Sequence, residues 1–220
     1  MNNNSNIANV KMHTLIFLNG DPPYAEVANF YLKNCNFIIA ADGGANYLRT
    51  MNIVPDLIIG DFDSIKKTNL AYFKNKSDIL RIREQSTTDF EKSLLYCINE
   101  NKNNLIVFGT SGNRSDHSLN NFSILKRYYK KLDIRMISGD YEILYVKKKI
   151  TFPYRTKETV SLLGMPKAVN VNSKGLKYKL INTDLEFGIK EGALNESTSS
   201  EISIEFKSGC LLLFKKHFIK

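Results

Sequence analysis

The sequence is poor in residues that staple or anchor a chain. Its three cysteines, Cys35, Cys97 and Cys210, are odd in number, far apart and set in apolar surroundings. That excludes a disulfide framework and offers no metal-ligand spacing. They read as reduced core thiols. No apolar run approaches the roughly 18 residues of a membrane-spanning helix. The stretch Leu15 to Leu18 is too short even for the apolar core of a secretion signal, and the opening M-N-N-N-S-N carries no basic residue. The expectation is a cytoplasmic protein with no membrane association. Also missing are a Walker A loop, a G-x-G-x-x-G turn, an internal repeat and a long linker.

Charge of one sign is in excess without being concentrated. The net charge is +9, from 31 Lys and Arg against 22 Asp and Glu, but the lysines are scattered and outnumber the arginines, which favours a solvated surface over a base-reading one. The dense run Lys147-Lys148-Lys149 lies between Tyr145 and Ile150, in an expected hairpin. Nucleic acid is therefore not an expected partner. A basic surface does attract anionic small molecules such as nucleotides. Hydrophobic content of 43% and charged content of 24% are those of an ordinary globular protein, and 220 residues suffice for one large domain or two small ones.

What is present is concentrated around Pro55 to Ser64, P-D-L-I-I-G-D-F-D-S. Leu57, Ile58 and Ile59 form a short apolar run typical of a strand buried on both faces, which Gly60 ends. If the chain leaves this strand extended, Asp61 and Asp63 project to the same side, about 6 to 7 Å apart. Two carboxylates without a basic neighbour repel; a divalent cation bridging them to phosphate oxygens turns repulsion into a binding site. The bland reading is a solvated Asp-rich loop capping a helix that starts near Ser64.

Around this stretch, a buried strand is expected at 13–19 and further strands at 37–41, 79–82, 105–108 and 134–137, with helices between them. The second strand runs into Asp42-Gly43-Gly44-Ala45-Asn46, where glycines allow close backbone approach to a ligand. After the fourth, Gln85 precedes Thr88, which with Glu91 forms a capping box. Asp89 and Lys92 are then left on one face of the first helical turn. After the fifth, the donor-rich loop Gly109-Thr110-Ser111-Gly112-Asn113-Arg114-Ser115-Asp116-His117 meets a helix N-terminus, an arrangement suited to phosphate, with Arg114 as a bidentate fork. Alternating strands and helices argue for a parallel α/β sheet, which brings Asp42, Asp61, Asp63, Asp89 and Arg114 to the C-terminal edge where such sheets bind ligands. Past Gly139 the pattern becomes short apolar or alternating runs between turns: 141–146, 150–152, 159–163, 168–171, 176–180, 202–206 and 210–214. This reads as an all-β sandwich with a polar loop at 188–200. The expected organisation is an α/β domain, residues 1–139, followed by a β-sandwich domain, residues 140–220.

Taken together, A-D-G-G-A-N (Ala41 to Asn46), P-D-L-I-I-G-D-F-D-S, T-D-F-E-K-S-L (Thr88 to Leu94), G-N-R-S-D-H-S-L-N-N (Gly112 to Asn121), G-L-K-Y-K-L (Gly175 to Leu180) and L-N-E (Leu194 to Glu196) resemble the motifs of the thiamin pyrophosphokinase family in order and spacing. The resemblance implies transfer of the pyrophosphoryl group of Mg-ATP to the thiamine hydroxyl, giving thiamine diphosphate and AMP. It also implies a homodimer with active sites between subunits. By matching position, Asp42, Asp61, Asp63 and Asp89 would hold or surround Mg2+. Asp61, Asp63, Asp89, Lys92 and Arg114 would serve catalysis. Asp42, Gly43, Gln85, Thr110, Arg114, Asp116 and Asn121 would serve the nucleotide. Gln85, Asn195 and Phe214 would meet thiamine. The sequence departs from the family pattern in three places: it has no Trp, leaving Phe214 as the ring to stack on the cationic substrate, Leu194 stands where Ser is frequent, and Ser86 where Asp is common. The alternatives are a metal-dependent phosphohydrolase and a non-catalytic module sensing nucleotide or thiamine.

Overall fold

The computed structural model describes residues 12–112 and 114–219; the polar opening read for a missing signal, and Asn113 of the donor-rich loop, lie outside them. The fold is mixed α/β, with a parallel sheet and an antiparallel β region. The chain divides into two compact units, one whose described residues end at 112 and one spanning Arg114–Ile219.

The first unit alternates strands and helices: β1 (His13–Phe17), α1 (Ala25–Leu32), β2 (Cys35–Ala41), α2 (Gly44–Thr50), β3 (Leu57–Gly60), α3 (Lys67–Phe73), β4 (Asp78–Arg81), α4 (Asp89–Asn99) and β5 (Asn104–Phe108). The strands lie in the order β4-β3-β2-β1-β5, and every adjacent pair is parallel. β1, β3 and β5 are buried along their whole length, which is why their sequences are continuously apolar instead of alternating. The order reverses at β1, so the loops after β1 and β5 lie side by side. They are laced together by Leu18 N–H to Phe108 O at 2.9 Å and Gly20 N–H to Gly109 O at 3.0 Å. In open parallel sheets this reversal point, at the strand C-termini, is where ligands bind.

Two expectations change here. Residues 62–65 are a bend, and Phe62 is left-handed at φ +68°, so the chain does not leave β3 extended. The helix expected near Ser64 begins at Lys67, because Ser64 and Ile65 bond sideways to Asp42 instead of starting a turn.

The second unit opens with α5 (Ser115–Tyr128), then β6 (Asp133–Ser138), β7 (Tyr141–Val146), β8 (Lys149–Pro153), β9 (Thr159–Lys174), β10 (Thr183–Glu186), β11 (Gly192–Glu196), β12 (Glu201–Glu205) and β13 (Ser208–Lys216). The order is β6-β7-β13-β9-β12-β8, with β10 and β11 also on β9. The 16-residue β9 fuses two expected runs. Its first part pairs with β13 and β11, and its last residues with β12. It thus carries both sets of strands around one core that includes Val160, Leu162, Ile202, Ile204, Leu211 and Leu213. The run 176–180 is not a strand: Leu176 and Leu180 bury, but the ladder is replaced by a return in which Ser173 N–H bonds Leu180 O and Leu180 N–H bonds Ser173 Oγ. Conversely, β11 lies inside the segment expected to be a loop. Its sequence, GALNE, is too polar to announce a strand and is held by pairing with β9.

The element that carries Asp89 and Lys92 has the expected cap. Thr88 is extended, and its Oγ1 accepts the Glu91 N–H at 3.3 Å. Thr88→Ala should cost about 1 kcal/mol of stability, read as a lowered urea midpoint with unchanged slope, and Thr88→Ser should restore most of it.

Candidate active site: a carboxylate rim on the first unit

Each acidic residue of the rim is delivered by the end of a buried strand or the start of a helix. Asp42 follows β2 in the left-handed conformation, φ +43°, with its N–H on Ile59 O of β3 at 2.9 Å. The residue is buried. Both carboxylate oxygens face inward: Oδ2 accepts the Ser64 N–H at 2.9 Å and Oδ1 the Ile65 N–H at 3.1 Å. Asp61 follows Gly60, and its backbone carbonyl accepts Arg81 Nε at 3.1 Å. Asp89 opens α4, where Lys92 Nζ meets its Oδ1 at 3.0 Å. That lysine is only 4% exposed, and the carboxylate pairs it where water does not reach.

Asp42, Asp61 and Asp89 each place a carboxylate oxygen within 4.8 Å of the others. Gly60 makes this approach possible. A Cβ built on it would lie 2.9 Å from Asp42 Cβ and 3.1 Å from Asp89 Oδ1, and its φ of +153° disfavours any other residue. Asp63 stands at the border of the group. Its N–H reaches Asp61 Oδ1 at 3.3 Å and its own Oδ1 accepts the Ser64 hydroxyl at 2.8 Å.

These environments separate the carboxyls electrostatically. Burial pushes Asp42 up to about 6, against the pull of the Ser64 and Ile65 N–H groups. Burial also raises Asp89, with Lys92 opposing it. Asp63, bonded by the Ser64 hydroxyl and facing Asp42, is held below the usual range. Three clustered hard oxygen donors, two of them raised by burial, fit a magnesium-like cation; they are the wrong donors for a soft metal.

The sequence profile of "Thiamin pyrophosphokinase, catalytic domain" matches residues 28–138, and that of "Thiamin pyrophosphokinase, vitamin B1 binding domain" matches residues 145–211. The chain belongs to the thiamin pyrophosphokinase family. Thiamin pyrophosphokinase 1 of Caenorhabditis elegans is 28% identical over 220 residues, covering 90% of this chain and 86% of that protein. Thiamine pyrophosphokinase of Bacillus subtilis is 25% identical over 191 residues, covering 80% and 86%. Among solved structures, Thiamin pyrophosphokinase from Candida albicans superposes with a TM-score of 0.82 at 22% identity, covering 93% of this chain and 89% of that one. The Bacillus subtilis enzyme does so with 0.81 at 22%, covering 92% and 98%.

Seen as a thiamin pyrophosphokinase, the chain distributes its sequence-assigned residues unevenly. The first unit gathers Asp42, Asp61 and Asp89, with Lys92 on Asp89. Gly43 is buried where a Cβ would strike the Asn19 side chain, Thr110 is buried after β5 and Gln85 is exposed in the segment before α4. In the second unit Arg114 forks onto Asp116, Nε to Oδ1 at 3.0 Å with Nη2 on Oδ2, both side chains exposed; this holds the Asp116 carboxyl well below the usual range. Asn121 is half-buried on α5. Phe214 meets Phe122 edge-on at 5.9 Å. Asn195 is buried and ties down its own surroundings: Oδ1 accepts the N–H groups of Tyr178 and Glu196, and Nδ2 donates to Tyr178 O at 2.7 Å. Sequence reasoning passed over Arg81, whose only signal was its place at the end of β4, beside β3.

A carboxyl raised in the folded state holds its proton more tightly there than in the unfolded chain. Metal-free protein should therefore lose stability from Asp42 as pH rises from the ordinary carboxylate range, near 4, through about 6. Carbon-13 carboxyl shifts in EDTA should show Asp42 titrating near 6, and added Mg2+ should move the midpoint down.

Proposed function

We propose that this chain transfers the pyrophosphoryl group of ATP to thiamine, with the carboxylate rim of the first unit as the phosphate-handling centre. The observation that carries the reading is the convergence of Asp42, Asp61 and Asp89 at the C-terminal edge of a parallel sheet, in a chain matched by both profiles of the family. The thiamine hydroxyl attacks the β-phosphorus; the new O–P bond forms as the bond from that phosphorus to the bridging oxygen of the α-phosphate breaks. AMP leaves with the bridging oxygen, and the hydroxyl proton is lost.

Asp42, Asp61, Asp63 and Asp89 would hold or surround Mg2+, which supplies charge neutralisation on the phosphates when bound. Lys92, paired with Asp89 at 3.0 Å, places a cation beside the same centre. Gly43, Gln85, Thr110, Arg114, Asp116 and Asn121 serve the nucleotide. The Arg114 guanidinium would exchange its internal partner Asp116 for phosphate oxygens, a geometry it already presents. Gln85, Asn195 and Phe214 are the residues assigned to thiamine by motif position. Phe214 offers a ring face, and Asn195 acts through its remaining amide N–H and through the Tyr178 backbone that it fixes.

The wider organisation follows the same reading, with an α/β domain, 1–139, for ATP and metal and a β-sandwich, 140–220, for thiamine, in a cytoplasmic enzyme. Among the described residues no helix is long and apolar enough to cross a membrane. A homodimer is supported by apolar side chains left outward on the second unit, Ile189 at 76% and Leu194 at 79% exposure, with Phe187 and Ile181 near them in sequence.

The test is phosphorus NMR with chromatography on protein incubated with ATP, Mg2+ and thiamine. Thiamine diphosphate and AMP should appear in equal amounts, and Asp61→Asn should lower the rate by about 100-fold or more. ADP or phosphate formed regardless of thiamine would mean a hydrolase; binding of both substrates without turnover would mean a sensor. Phe214→Trp should lower the thiamine KM by about three-fold or more through a stronger cation-π face, leaving the KM for ATP unchanged.

A further inference from the structure

Asn46 lies in the first turn of α2 and touches none of the three clustered carboxylates, yet it grips the loop that carries one of them. Its Nδ2 donates to Ser64 O at 3.1 Å, and its Oδ1 accepts the Lys66 N–H and Asn69 Nδ2, both at 2.9 Å. The backbone partners fix which way the amide points: only the oxygen can accept from the Lys66 N–H, and only the nitrogen can donate to the Ser64 carbonyl. Four residues earlier in the chain, Asp42 takes the N–H groups of Ser64 and Ile65. Three consecutive loop amides, at Ser64, Ile65 and Lys66, are thus held by two side chains flanking the start of one short helix. The loop has no regular structure of its own, and Phe62 within it is left-handed. Asp61 is tied at its carbonyl to Arg81 Nε and at its Oδ1 to the Asp63 N–H, and the second of these ties depends on where the loop beyond Phe62 is held.

We propose that Asn46 is a positioning residue that sets the place of Asp61 beside Asp42 and Asp89 and thereby the affinity of the rim for a divalent cation. This rests on the reading of the rim as a cation site. With the clamp, the carboxylates are pre-organised and binding carries little ordering cost; without it, Asp61 must be drawn in from a looser loop.

The test uses Mn2+ alone as probe, titrated by EPR into the full chain, with urea unfolding to confirm the folded state of each variant. Asn46→Ala should weaken Mn2+ binding about ten-fold. In turnover it should raise the Mg2+ concentration for half-maximal rate by a similar factor, with kcat largely recovered at saturating Mg2+ and the thiamine KM unchanged. Asn69→Ala, which leaves the grip on the loop backbone intact, should stay within about two-fold of wild type. Asn46→Asp keeps the acceptor but loses the donor to Ser64 O. Its added charge alone would tighten cation binding, so weakening in this variant marks positioning, and it serves should Asn46→Ala not fold. Folded Asn46 variants that bind Mn2+ as tightly as wild type, or Asn69→Ala falling as far as Asn46→Ala, would overturn the clamp while Asp61→Asn still abolished binding. A wild-type chain that binds no Mn2+ would overturn the cation site itself and the clamp with it.

Discussion

Mutual repulsion among Asp42, Asp61 and Asp89 is the constraint that the first unit is built to withstand. Three carboxylate oxygens within 4.8 Å of one another, two of them on groups whose protonation burial favours, would separate in any flexible setting. They stay together because Asp42 and Asp89 are fixed by strand and helix backbone and the Asp61 loop is tied to Asp42. Asp42 is bonded through its own N–H to β3 and through both oxygens to the Asp61 loop. Asp89 is placed by a capped helix and neutralised in part by a buried lysine. The buried parallel strands supply the stiffness, since shifting one would expose apolar surface or break its ladder.

The same constraint explains where the chain departs from easy conformations. Asp42 and Phe62 both lie in the left-handed region, and Gly60 is needed where a side chain would push Asp42 and Asp89 apart. Such positions cost conformational energy and persist where the surroundings over-determine them. What separates a built site from a solvated acidic loop is that Asp42 is buried with both carboxylate oxygens on the Ser64 and Ile65 N–H groups, bonds that a solvated loop would lack.

Much of this was legible in the sequence, for identifiable reasons. Continuous apolar runs in β1, β3 and β5 mark strands buried on both faces, the Thr88 and Glu91 spacing marks a cap, and motifs in family order carry the identity that composition alone could not. The D-x-D geometry was less legible. Extended spacing predicts Asp61 and Asp63 as partners, whereas the left-handed Phe62 and the pull of Asp42 on Ser64 and Ile65 bring Asp61 to Asp42 and Asp89 and leave Asp63 at the margin. Such contacts bridge about twenty positions of sequence, beyond the reach of local pattern. In the second unit, β10 and β11 escaped for the opposite reason. Their residues are polar and their pairing belongs to β9, so a strand was formed by its partner and not by its own propensity.

Asn195 shows how far a motif can be read before structure is needed. Matching position assigns it to thiamine, and a polar residue in a family motif invites that assignment. Its carboxamide, however, is turned into the unit, closing on both backbone groups of Tyr178 and on the next N–H along. A buried amide with that many internal bonds contributes to a ligand mainly by holding a loop in shape, as Asn46 does for the acidic rim. The ring of Tyr178, by contrast, is 63% exposed. In both units, then, an asparagine fixes backbone: Asn46 holds the Asp61 loop in the first, and Asn195 the backbone of Tyr178 in the second. A side chain that holds backbone in this way is sensitive to losing one donor or one acceptor, whereas a face that packs on a ligand tolerates exchange for a residue of similar shape.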